Sequence, residues 1–340
     1  MCRLPVLSYP QATTRRRFAS ADPYAPAVSA SSILVSQTQM SPPRLLVLER
    51  LLQPSGQAQR TLNGIEDKLP NTPSGSIELK GLFVFLVSAL ETMLSDTYVY
   101  FLQAFPEAFD FKDIRFGKDE IVGSTLAIDL IERQIERNAI ALAYSSLPEL
   151  LNTFIKALGI AEPSLDEDIV DRLVEVKETR NMLLHNSLIA SRQYVVRAGR
   201  FRRTKSEGAE LPLTKEYIGS ACKNVGDLIG ELRKRMDEKY KTYTRIAAFR
   251  RLWDYLFSSP IMQFDDYWTI DSEKDEFSSL KVSPWEESLS SSEQAFLAIW
   301  RMHFNGWNKP QNIASMYGLD TENQKKMLWF LAILRDFNLR

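Results

Sequence analysis

An arginine, an asparagine and a histidine stand close together in the run Arg180-Asn181-Met182-Leu183-Leu184-His185 of this 340-residue chain. Arginine carries a planar fork of donors that matches a phosphate, and histidine exchanges a proton near neutral pH. Spacing decides whether they can act together. Ile169, Leu173, Val176, Arg180 and Leu183 recur at three- and four-residue steps, so Arg180 stands where an apolar helical stripe would place a hydrophobe. Val170, Val174, Asn181 and His185 form the neighbouring row, with Asn181 and His185 one turn apart. A guanidinium in such a row needs a protein carboxylate, a phosphate, or each in turn, because burying it alone is costly. Arg180 and His185 lie about 140° apart around a regular helix. They converge only if the helix unwinds, if the arginine reaches round, or if a second copy of the helix completes the site. The last turn of a helix favours the charged imidazole, which suits His185 to proton transfer.

The elements that must hold these groups are legible as apolar periodicity. Ser164-Leu165-Asp166-Glu167 is a capping box, predicting a helix from there to about Asn186, a residue type that tolerates a left-handed cap. Leu79, Leu82, Phe83, Leu86, Leu90, Met93, Leu94 and Phe101 mark a long core helix beginning near Ser76. Segments 124–138 and 147–158 read as helical, and Leu213 to Lys241 as a long helix with Glu231-Leu-Arg-Lys-Arg on its solvated face. Residues 190–212 read as a loop. Four substantial helices with short connections predict an all-α chain with an antiparallel four-helix bundle over 76–244. Residues 245–340, which hold all six tryptophans, are expected to form a smaller, mostly helical module. Its stretch from Asp265 to Glu287 has eight acids against two lysines and could mask a basic surface in a resting state.

Residues 1–75 are expected to be largely disordered or a leader. In the first forty, Asp22 is the only acid beside Arg3, Arg15, Arg16 and Arg17, which suits a solvated tail, a transit peptide or a chain starting at Met40 alike. The net charge of −1 supplies no global pull toward nucleic acid, so any such contact must be local. Cys2 and Cys222 argue against a disulfide framework and for a reducing, cytoplasmic setting. Two cysteines and two histidines make a zinc site a poor expectation, and neither metal nor cofactor is expected. The greasiest run, Gly81 to Leu90, is half a bilayer's need, so no membrane span is expected. There is no phosphate-binding Gly-rich loop, no G-x-S-x-G elbow and no H-E-x-x-H.

The motif in this setting resembles the R-x4–6-H signature of HEPN domains. The flanks Glu178-Thr-Arg-Asn-Met-Leu-Leu-His-Asn-Ser-Leu-Ile are similar to those of prokaryotic members, and Glu91 matches an acid common in the first long helix of relatives. The resemblance spans about residues 76–242. It implies a metal-independent endoribonuclease, a hydrolase acting as a homodimer with two motifs face to face. Arg180 would hold the scissile phosphate and His185 would move a proton as the ribose 2′-hydroxyl attacks. Asn181 would orient either, and Glu91 would position Arg180. The same resemblance implies a toxin or antiviral defence effector, with an antitoxin or trigger protein acting through the C-terminal module.

After the motif, Arg192, Arg197, Arg200, Arg202, Arg203 and Lys205 appear with no acid among them, a candidate track for an RNA backbone. Tyr194 and Phe201 are candidates for base stacking. Two readings from other classes stay open: a non-catalytic helical dimerisation or adaptor protein, with Arg180 simply paired to an acid, and a HEPN-type partner of a nucleotidyltransferase.

Overall fold

The long apolar stripe that starts at Leu79 becomes the central helix of the molecule. The computed structural model describes residues 45–109, 116–118, 121, 127–163, 167–257, 262–278, 288–305 and 319–336. The described chain is all-α apart from one short hairpin. Helix α1 is Leu48–Lys68, α2 Ile77–Ala104, α3 Ala127–Ala143, α4 Leu147–Leu158, α5 Glu167–Asn186, α6 Arg192–Arg197 and α7 Lys215–Tyr240. Ser76 caps α2 by accepting from Leu79 N at 3.0 Å, and Leu79, Phe83, Leu86 and Leu94 are fully buried. Helix α2 packs against α1, α3, α4, α5 and α7, so six helices share one core rather than the four expected.

The helix that periodicity did not announce is α1, in a region expected to be disordered or a leader. Leu51, Leu52, Ala58, Leu62 and Ile65 make a buried stripe that Pro54 obscures, since proline interrupts the backbone hydrogen bonding of a helix interior. Side chains support the turn beside it. Ser55 Oγ donates to Leu52 O at 2.6 Å, and Arg233 Nη1 of α7 donates to Ser55 Oγ at 3.1 Å and to Leu52 O at 3.4 Å. Arg233 is exposed, as expected of the solvated face, and also braces α1. Residues 1–44 lie outside the described residues, as do Ser164, Leu165 and Asp166 of the expected capping box.

The segment expected as a loop over 190–212 contains α6, capped where Ser191 Oγ accepts from Tyr194 N at 3.2 Å. A small second core of Met182, Leu188, Tyr194 and Leu211 ties it to the end of α5.

The C-terminal module comprises α8 (Arg245–Leu256), α9 (Phe264–Tyr267), strands β1 (Thr269–Asp271) and β2 (Glu276–Ser278), α10 (Ser291–Asn305) and α11 (Thr321–Asp336). Trp253, Trp268 and Trp300 are fully buried together, and Trp253 Nε1 donates to Met262 O at 2.7 Å. Trp329 is partly buried, whereas Trp285 and Trp307 lie outside the described residues. Leu45 and Val47 insert into this core, and Leu48 N donates to Tyr243 O at 2.8 Å. Three acids of the 265–287 stretch find partners within the module. Asp265 pairs with Arg250, Asp271 with Lys274 at 3.1 Å, and Asp275 accepts from Ile246 N at 3.0 Å, capping α8. These acids take part in local structure, and residues 279–287 of the stretch lie outside the described residues.

Candidate functional site

Helix α5 carries the motif because its middle is buried on nearly every side: Leu173, Glu175, Val176, Lys177, Glu178 and Thr179 are all buried. Toward its end burial falls away, and Leu184, His185 and Asn186 are exposed. Arg180 stands at the transition, its side chain 17% exposed.

The guanidinium of Arg180 is paired by Nη2 to Oε2 of Glu91, reaching across from α2. Its Nη1 donates to Asn181 Oδ1 at 3.1 Å. Helix α5 stays regular through Asn186, so no unwinding brings Arg180 and His185 together within one chain. Asn181 in turn lies one helical turn below His185.

Lys177, which the sequence reading did not single out, completes the cluster. Its ammonium lies 3.0 Å from Glu91 Oε1, yet its hydrogen bonds go to Ser145 O at 2.8 Å and Ala143 O at 3.3 Å, at the C-terminal end of α3. Glu91 Oε1 thus meets the Lys177 ammonium as an ion pair, and Arg180 Nε is buried without a hydrogen-bond acceptor. One carboxylate faces two cations, and the hydrogen bonding of the group is incomplete. Such a group favours further charged or polar company over isolation. The signal for Lys177 was its place on the inward side of α5, but a lysine there is indistinguishable in sequence from one that snorkels to solvent.

The turn that follows is strained. Ser187 and Leu188 both take positive φ, +51° and +65°, and Leu188 is buried. The left-handed residues are thus these two, not Asn186, whose Nδ2 donates to Ile189 O at 2.6 Å. A β-carbon in this region costs about 1–2 kcal/mol per residue, and such costs gather near functional turns.

The six cations after the motif separate into two kinds. Arg192, Arg197, Arg202 and Lys205 are exposed. Arg200 is engaged with Asp168 at 2.7 Å and Asp171 at 2.6 Å. Arg203 corrects the expectation outright. Its Nε donates to Glu175 Oε1 at 3.0 Å, Nη1 to Pro212 O at 2.5 Å and Nη2 to Thr179 Oγ1 at 3.1 Å, and the guanidinium stacks over Tyr217 at 4.1 Å. Glu175 also accepts from Thr179 at 2.6 Å and from the hydroxyls of Tyr194 and Tyr217, each at 2.7 Å. Burial, with the Glu175 charge adding to it, holds the Tyr217 hydroxyl well above its ordinary range. Burial of Arg203 opposes its charge, but Tyr217 and Glu175 more than offset this and raise its pKa. Tyr194, a candidate stacker, is wholly buried in this network, so no base can reach it. Phe201 is half-buried between Arg172 at 4.2 Å and Arg200 at 5.2 Å.

Among the described residues no cluster of three or more His, Cys, Asp or Glu is placed to hold a metal, and no helix is long and apolar enough to cross a membrane. Compared with known proteins, the chain matches no family model, no curated protein and no solved structure.

Proposed function

We propose that this chain is a metal-independent endoribonuclease of the HEPN type, working as a homodimer in a reducing cytoplasm as a toxin or antiviral defence effector. The observation that carries the reading is the linked set Glu91–Arg180–Asn181 at the point where α5 leaves the core, with His185 exposed one turn on. Glu91 fixes the guanidinium from one side, and the side chain stays partly exposed, so a phosphodiester that approaches there would be met by a positioned cation. His185 would accept the 2′-hydroxyl proton or protonate the departing 5′-oxygen, its counterpart on the second copy doing the other. The bond from phosphorus to the 5′-oxygen breaks as the bond to the 2′-oxygen forms, leaving a 2′,3′-cyclic phosphate. The need for that hydroxyl makes the substrate RNA. Arg192, Arg197, Arg202 and Lys205 would follow the backbone.

The test is cleavage of mixed RNA in EDTA by the purified chain and by Arg180→Ala and His185→Ala, with the new ends mapped. EDTA-resistant cuts ending in cyclic phosphate, lost in both variants, support the enzyme. The adaptor reading draws on the same ion pair, since a guanidinium neutralised by Glu91 can be purely structural. It predicts no cleavage by any form and self-association untouched by His185→Ala.

A further inference from the structure

A groove of about 680 Å³ runs between α2 and α3, with Glu91 in its lining. Its walls are formed by Ser88, Thr92 and Val99 of α2 and by Ala139, Ile140 and Ala143 of α3. Small side chains there keep the helices from closing the surface between them. Within its lining Ile140 is 61% exposed; near in sequence to its lining residues, Phe85, one turn from Ser88, is 63% exposed and Tyr144, directly after Ala143, 88%. Isolated exposed hydrophobes are ordinary, but one that opens into a groove lined by further apolar side chains, Val99 and Ala139 among them, suits a covered surface. The groove follows α2 from Ser88 to Gln103, about 22 Å at the helical rise, which matches about four turns of a guest helix.

Charge identifies the guest. Glu91, Asp96 and Glu136 line the groove, and none of its lining residues is basic. Lys177 and Arg180 already neutralise Glu91. Asp96 and Glu136 have no ion-pair partner among the described residues, and partial burial raises the Asp96 carboxyl above its ordinary range. A polyanion such as RNA would be repelled along this surface, whereas a cation would relieve it. We propose that the α2–α3 groove is a docking site for a basic amphipathic helix of a partner protein. Its apolar side lies on Ile140 and Val99, and its lysines or arginines meet Asp96 and Glu136. This surface meets the candidate site at Glu91, and its occupancy is read by binding, whether or not the chain cleaves RNA.

The experiment is selection of a displayed library of helical peptides of about four turns against the full chain, counter-selected on the double variant Asp96→Asn/Glu136→Gln. Both substitutions are at solvent-accessible carboxylates, and circular dichroism checks that the variant folds. Enriched peptides are expected to pair an apolar stripe with Lys and Arg. They should bind the double variant at least about tenfold more weakly, protect Ser88–Gln103 from hydrogen exchange, and lose affinity as salt rises. Acidic or neutral winners, winners that protect another surface, no enrichment at all, or equal binding to the double variant overturn the proposal. Protection of the groove by self-association of the chain alone also overturns it, since the occupant is then a second copy.

Discussion

Helix α5 carries two arginine–carboxylate contacts less than two turns apart, and they differ in how completely they are satisfied. Around Glu175, Thr179, Tyr194, Arg203 and Tyr217 all donate to the carboxylate, and the remaining Arg203 donors find Pro212 O and Thr179. Around Glu91, two cations share one carboxylate, and Arg180 Nε is left without a hydrogen-bond acceptor. The first is a closed network that fixes α5 against α7 and the segment after the motif. The second is open, at the point where the helix reaches solvent. A buried ion pair by itself says little about purpose, because its desolvation cost can match its attraction. The difference in satisfaction is what the two proposed roles draw on, a chemical one for Arg180 and an architectural one for Arg203.

The largest expected effect tests the closed cluster. Arg203→Ala leaves Glu175 buried with its charge uncompensated, and is expected to lower unfolding free energy by about 3–5 kcal/mol in urea titration. A loss under about 1 kcal/mol would mean that the hydroxyls of Tyr194, Tyr217 and Thr179 hold the carboxylate unaided, and the network would not be the architectural one. Arg180→Ala should show the reverse profile. Cleavage in EDTA is expected to fall by about 10²–10³-fold, the scale for removing one donor aimed at a developing anion. Its denaturation midpoint should move less than that of Arg203→Ala. Equal destabilisation with no kinetic effect would make both clusters structural.

The two clusters were not equally legible. Arg180, Asn181, His185 and Glu91 stood out because a motif and an interrupted apolar row drew attention to them, and the structure brings Glu91 onto Arg180. The long stripe of α2 and the bounds of α5 and α7 followed from periodicity, which reports burial of one side directly. Glu175 did not stand out, because a sequence does not distinguish an acid on a solvated face from one buried among four donors. Arg203 was misread for the same reason: six cations in a row look alike until packing draws one inward. Helix α1 was missed because its stripe includes Ser55 and Ala58 and its interior holds Pro54, each weakening the apolar period. What remained hidden was long-range pairing, which depends on which helices meet.

A smaller effect concerns the exposed cations. Arg192→Gln/Arg197→Gln/Arg202→Gln should weaken single-stranded RNA binding, and the slope of log affinity against log salt should become shallower by about 2, near 0.7 per lost contact. Arg200→Gln should change that slope little, because Asp168 and Asp171 already hold Arg200. If Arg200→Gln proves as damaging as the triple variant, the division of this segment into cations without an acidic partner and cations held by aspartates fails.

The smallest effect lies in the turn beside the open cluster. Ser187 holds φ at +51° and is exposed, so its side chain gains little from packing while its β-carbon pays for the left-handed backbone. Glycine removes that cost of about 1–2 kcal/mol but loses about 0.5–1 kcal/mol through the greater freedom of the unfolded chain. Ser187→Gly is therefore expected to stabilise the fold by up to about 1 kcal/mol, read as a higher denaturation midpoint. Leu188 takes the same kind of backbone yet is buried against Met182 and Tyr194, so glycine there would forfeit its packing and should not stabilise. If Ser187→Gly raises stability and lowers cleavage together, the strained turn helps present His185. If it raises stability alone, the strain serves only to lead the chain from α5 toward α6, and the open cluster ends at Asn181.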